Sequence, residues 1–170
     1  NFFFTENDLA AYAVKHYNFT THEGFNAGIW RNDNATDNQA ATDYDKKWIP
    51  GQWKVPEAYD NPASNDPWYF SAIREANYFL ETVVPRFEKG EIEGSETNIK
   101  HYIGEMYFLR AKNYLSKLET FGDFPIIKNT LPDESASLIQ ASKREPRHKV
   151  ARFILEDLDL AIGLLTNTIS

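Results

Sequence analysis

Between residues 98 and 121, apolar side chains recur at Ile103, Tyr107, Ala111, Tyr114, Leu118 and Phe121, in steps of four, four, three, four and three. That is the period of an α-helix, and a strand cannot present such a row on one face. Tyr102, Met106 and Leu109 form a second apolar row, so this helix must be covered on more than one side. Gly122 follows the last periodic residue, where a C-terminal cap belongs. Upstream, Phe70, Ile73, Asn77, Leu80 and Val84 form one stripe, and Ala72, Ala76, Phe79 and Val83 a neighbouring one. They predict a second buried helix that stops at Pro85. Residues 5–17 read as a shorter helix capped by Thr5, with Asp8 three residues on. Val150, Ile154, Leu158, Ala161 and Leu165 give the core face of a last helix running from about Pro146 to Leu165. Residues 86–96 read as a polar connector. Phe124 to Ile127 read as a short extended run, followed by a polar loop to Glu145. The expectation is an all-α fold of tetratricopeptide-like helical hairpins, each buried between neighbours. The helices do not follow a clean repeat of about 34 residues.

Composition narrows the chemistry. A chain of 170 residues fits one domain. With 25 acidic and 18 basic residues the net charge is −7, which argues against nucleic acid, whose phosphates call for clustered Lys and Arg. The absence of Cys removes disulfides, thiolate metal sites and a Cys nucleophile. No stretch approaches the roughly 18 apolar residues of a membrane-spanning helix. His16, His22, His101 and His148 are scattered, and no pair has the i, i+4 spacing of a helical metal site. There is no Gly-rich phosphate loop, no G-x-S-x-G and no carboxylate pair that stands out, so neither an enzyme nor a cofactor is expected. Glu156, Asp157 and Asp159 read as the wet face of the last helix. Glu105 and Arg110 read as a pair that satisfies buried polar groups between helices, and Asn77 as a side chain bonded to a neighbouring loop backbone.

The remaining feature is an aromatic-rich excursion over about residues 18–67. Gly24, Gly28, Pro50, Gly51, Pro56, Pro62 and Pro67 prevent helix there, yet the segment holds Trp30, Tyr44, Trp48 and Trp53 among Asn and Asp. So many aromatics suit an ordered, functional loop packed by its own rings. A flat ring beside amides and carboxylates fits a sugar, whose C–H face stacks while its hydroxyls hydrogen-bond. The candidate stacking residues are Trp48, Trp53, Trp30 and Tyr44, and the candidate polar contacts Asp33, Asn34, Asp37 and Asn38. Trp68 abuts the second helix and reads as core.

Three strings then carry a family resemblance. Residues 68–81, Trp-Tyr-Phe-Ser-Ala-Ile-Arg-Glu-Ala-Asn-Tyr-Phe-Leu-Glu, are similar to the "Y..I..aN.fLe" helix of SusD/RagB proteins. Residues 102–114, Tyr-Ile-Gly-Glu-Met-Tyr-Phe-Leu-Arg-Ala-Lys-Asn-Tyr, followed by Phe121-Gly-Asp-Phe-Pro125, resemble that family's "aEa.flRA..Y" and "fG.vPli" signature. Arg144, Val150, Ile154, Asp157 and Ala161 resemble its "R.s..eV...I..DL..A" helix. The resemblance spans the chain in order, as one amino-terminal SusD-like domain over residues 1–170. It implies a surface-exposed outer-membrane lipoprotein that binds oligosaccharide or polysaccharide as a lid on a SusC-like TonB-dependent transporter. It also implies that Glu105, Arg110, Gly122 and Pro125 are architectural. Members are typically far longer and carry a lipid-bearing Cys absent here, so membrane attachment is expected only through an anchor outside this chain. The missing portion is expected to leave apolar surface uncovered around residues 150–165. A tetratricopeptide-like protein-interaction scaffold without glycan binding is the alternative.

Overall fold

A computed structural model describes residues 2–17, 49–52, 54 and 68–167. The chain divides into two compact units, one of Tyr17–Val55 and one of Asn1–His16 with Pro56–Ser170. In the first unit, residues 49–52 make a turn in which the Gln52 N–H donates to the Ile49 carbonyl (2.9 Å).

The second unit is all-α. Its described residues form α1 (Glu6–Val14), α2 (Ser71–Glu88), α3 (Glu96–Phe121), α4 (Ser135–Ala141) and α5 (Arg147–Leu164). Extended pairing among them is limited to two isolated bridges, Thr5 with Glu93 and Phe124 with Glu145. α3 is the hub and packs against α1, α2 and α5. Its end is as expected, with Gly122 at φ +71° and its N–H donating to the Leu118 carbonyl.

Other boundaries differ from the sequence pattern, each for a local reason. α1 has the anticipated capping box: the Asp8 N–H donates to Thr5 Oγ1 (3.3 Å), and the Thr5 N–H donates to Asp8 Oδ2 (3.1 Å). It ends at Val14, ahead of the expected residue 17. α2 does not stop at Pro85 but continues to Glu88. The proline falls in the last turn, where one missing N–H removes a single ladder bond. Beyond it, Arg86 Nη1 donates to the Phe2 and Phe3 carbonyls (2.7 and 3.3 Å), which anchors the helix end. α4 lies in the stretch read as polar loop.

α3 starts at Glu96, two residues before the periodic segment. Its N-cap Ser95 makes no side-chain cap. The cap comes from α1 instead. Glu6 Oε2 accepts from the Ser95 N–H (2.8 Å), and Oε1 accepts from Asn98 Nδ2 (2.8 Å). A carboxylate there satisfies orphan donors and complements the positive end of the helix dipole.

Around this cap, Phe3, Leu9, Ala13, Phe79 and Val83 are fully buried, with Phe3 edge-on to both Tyr12 and Phe79. A second cluster joins Ile73 of α2, Ala111 and Tyr114 of α3, Phe124, and Val150, Phe153 and Ile154 of α5. On α5 the expected Val150, Ile154 and Ala161 are buried, joined by Phe153 and Asp157, while Leu165 lies just past the helix end and is 40% exposed.

Gly94 sits at φ +138°, and a Cβ there would lie 2.5 Å from the Glu6 Cβ. Gly94→Ala should strain the backbone and displace the Glu6 cap together. Thermal denaturation should show a loss of about 1–3 kcal/mol, whereas alanine at the exposed Gly90, where no atom is within 4 Å, should lose less.

Candidate functional site

The polar centre of the helical unit is Arg110. Its Nε and Nη2 donate to Asp157 Oδ2 and Oδ1 (2.7 and 2.8 Å), a two-pronged ion pair from α3 to α5. Nη1 donates to Asn77 Oδ1 on α2 (2.9 Å) and to the Lys128 carbonyl (3.4 Å). The Asn77 amide donates in turn to the carbonyls of Ile127 (2.8 Å) and Asn129 (3.4 Å). Tyr114 completes the knot: its hydroxyl donates to the Ile127 carbonyl (3.1 Å) and accepts from the Ile127 N–H (2.8 Å). A segment without regular structure, residues 124–131, is thereby bonded to α2 and α3, and through Arg110 to α5.

Asp157 is only 2% exposed and does not belong to a wet face. The pairing of Glu105 with Arg110 is likewise corrected. Glu105 Oε1 meets His101 Nε2 at 3.1 Å, one turn away on the same helix. His101 Nδ1 accepts from the Thr166 N–H (3.1 Å), which places the ring proton on Nε2 and ties the end of α5 to α3. Asn77 is bonded to loop backbone, as the sequence suggested.

This knot floors an open cleft of about 340 Å³. One wall is Trp68, Phe70 and Ile73, at the start of α2. The opposite wall is Pro125, Ile127 and Leu131, and Leu138 of α4 and its C-cap Ser142 also line the cleft. Arg74 and Asn129 complete the lining. The walls are braced from behind: Phe70 stacks on Phe124 (5.2 Å, 12°), and Trp68 lies against Phe121 (4.1 Å). Arg144 covers the Trp68 ring at 4.8 Å. Trp68 is therefore a wall packed on the core rather than a free stacking platform. None of α4 is buried; Leu138 is 43% and Ile139 69% exposed. On the outer side of α5, Leu155, Leu160 and Ile162 are exposed.

The eight sequence-derived candidates, Trp30, Asp33, Asn34, Asp37, Asn38, Tyr44, Trp48 and Trp53, all lie outside the described residues. Among the described residues no cluster of His, Asp and Glu is placed to hold a metal, and no helix is long and apolar enough to cross a membrane. The cleft had no signal in the sequence, because its walls come from three separated segments that share no motif.

A family model described as SusD-like, "Starch-binding associating with outer membrane", matches residues 2–170. Among solved structures, the crystal structure of a SusD-like protein from Bacteroides fragilis resembles the chain with a TM-score of 0.69 at 22% identity. The match covers 99% of this chain and 31% of that one, so the chain spans less than a third of the length of that protein. No curated protein matches.

Two outcomes test the knot. Arg110→Met and Asp157→Leu should each lower stability in urea by about 3–5 kcal/mol, because each strands a buried charge. The double variant should lose less than the sum. Burial, above all, pushes the Tyr114 phenol up to about 12 from the ordinary 10.0. The fold therefore favours its neutral form. That contribution is intact below pH 10 and is lost as pH rises from 10 towards 12. Ultraviolet titration should show a late phenolate step that Tyr114→Phe diminishes, with a shallower alkaline loss of stability in the variant.

Proposed function

The chain belongs to the SusD-like family of starch-binding proteins that associate with the outer membrane, and from that premise we propose that it is the amino-terminal part of a glycan-binding protein at the outer-membrane surface. The match of the family model over residues 2–170 carries this reading, and the all-α helical unit is consistent with it. The mechanism is capture without chemistry. Exposed rings stack on the apolar faces of oligosaccharide or polysaccharide, Asp and Asn accept and donate to the hydroxyls, and the captured glycan passes to a SusC-like TonB-dependent transporter. Attachment to the membrane is through a lipid anchor borne by the longer protein. Trp30, Tyr44, Trp48 and Trp53, with Asp33, Asn34, Asp37 and Asn38, form the glycan surface.

Affinity electrophoresis through polysaccharide-containing gels tests the assignment. Trp48→Ala with Trp53→Ala should abolish retardation and leave the helical circular-dichroism signal intact. Retained mobility shift, or loss of helix, would remove those rings from the binding surface. A reducing-end assay over a polysaccharide panel should register no turnover; clear release of ends would replace capture by hydrolysis.

A further inference from the structure

The described lining of the cleft between α2 and α4 includes none of the eight residues proposed for glycan capture. We propose that it binds a small amphipathic monocarboxylate. Its aryl or branched-alkyl body would sit against Phe70, Ile73 and Leu138, and its acid group would pair with Arg74.

The lining decides the body. At about 340 Å³ the cleft is of ligand size. The Asn77 side chain in its floor is already committed, its amide to two backbone carbonyls and its oxygen to Arg110. The walls are mainly carbon. A sugar with hydroxyls around its whole rim would leave most of them without partners, at a desolvation cost an apolar body does not incur.

Arg74 decides the charged end. It is exposed, and its side chain has no hydrogen bond or ion pair among the described residues, on a chain whose net charge is −7. Its planar guanidinium matches a carboxylate in two-pronged geometry. Among the described residues Arg74 is the one cationic side chain in the lining; Arg144 lies over the Trp68 ring. A second negative charge is disfavoured on the far side. There Glu81 accepts from the Thr130 N–H (2.8 Å) and also bonds its hydroxyl, and Asp133 and Glu134 precede α4. Like charges close by oppose a dianion.

α4 supplies the gain on binding. Leu138 lines the cleft yet remains 43% exposed. An apolar occupant would bury it together with Leu131, and that area is the main driving force.

The test uses the 170-residue chain and two fluorescent probes that share an aryl body. These are 8-anilinonaphthalene-1-sulfonate, with one anionic group, and N-phenyl-1-naphthylamine, which is neutral. The expected result is one saturable site, competed by 4-phenylbutyrate. Arg74→Met should weaken the anionic probe about tenfold and the neutral probe by less than about twofold. Leu138→Trp, which fills the cleft from an exposed position, should suppress both, while Leu160→Lys on the outer face of α5 should change neither. The proposal fails if binding survives Leu138→Trp, if it follows Leu160→Lys, if Arg74→Met affects the two probes equally, or if neither probe saturates.

Discussion

One buried ion pair sets the arrangement of the helical unit. Arg110 and Asp157 are each almost entirely removed from water, and their two bonds of 2.7 and 2.8 Å offset a desolvation penalty of several kcal/mol per ion only because the geometry is two-pronged. The third guanidinium nitrogen donates to Asn77 and Lys128, and Phe153 and Tyr107 flank the cation at 5.2 and 5.4 Å. Such a pair is a poor source of net stability compared with packed leucines. It links α2, α3, α5 and residues 124–131 in one hydrogen-bonded network, which joins the two walls of the cleft.

A second polar tie secures the other end of α3. Glu6 replaces the cap that Ser95 does not make, and two backbone bonds, Glu6 N–H to the Glu93 carbonyl and Glu93 N–H to the Phe4 carbonyl (both 2.8 Å), lay the first residues alongside the turn before α3. The hub helix is therefore held by a carboxylate at its start and by an ion pair midway along it, with apolar packing between. The long helix of this unit cannot slide or rotate without breaking charged contacts at two levels.

The helices that pack on α3 were legible because their apolar periodicity is strong, and the Thr5–Asp8 box and Gly122 because cap chemistry is local. What escaped was tertiary. Asp157 shares a stripe with Val150, Ile154 and Ala161, but its charge suggested solvent, since nothing local identified its partner. The counterpart was visible as Arg110 on an apolar face. Assigning it to Glu105 was geometrically weak, because residues five apart on a helix point about 140° from each other. His101, one turn from Glu105, was the better neighbour. α4 has seven residues and two large apolar side chains, too few to show a period. The early start of α3 depended on a residue about ninety positions away, and the continuation of α2 past Pro85 depended on Arg86 reaching Phe2 and Phe3. The sugar-stacking rings were inferred from composition alone, and they lie outside the described residues.

The tie between Glu6 and Asn98 spans 92 positions, and that between Arg86 and Phe2 spans 84. During synthesis at roughly 5–20 residues per second, the first residues emerge some 4–20 s before their partners do. Until then Phe3, which the fold buries completely against Tyr12 and Phe79, has no partner to cover it. The burial of this first segment is thus set by residues that follow it by more than eighty positions.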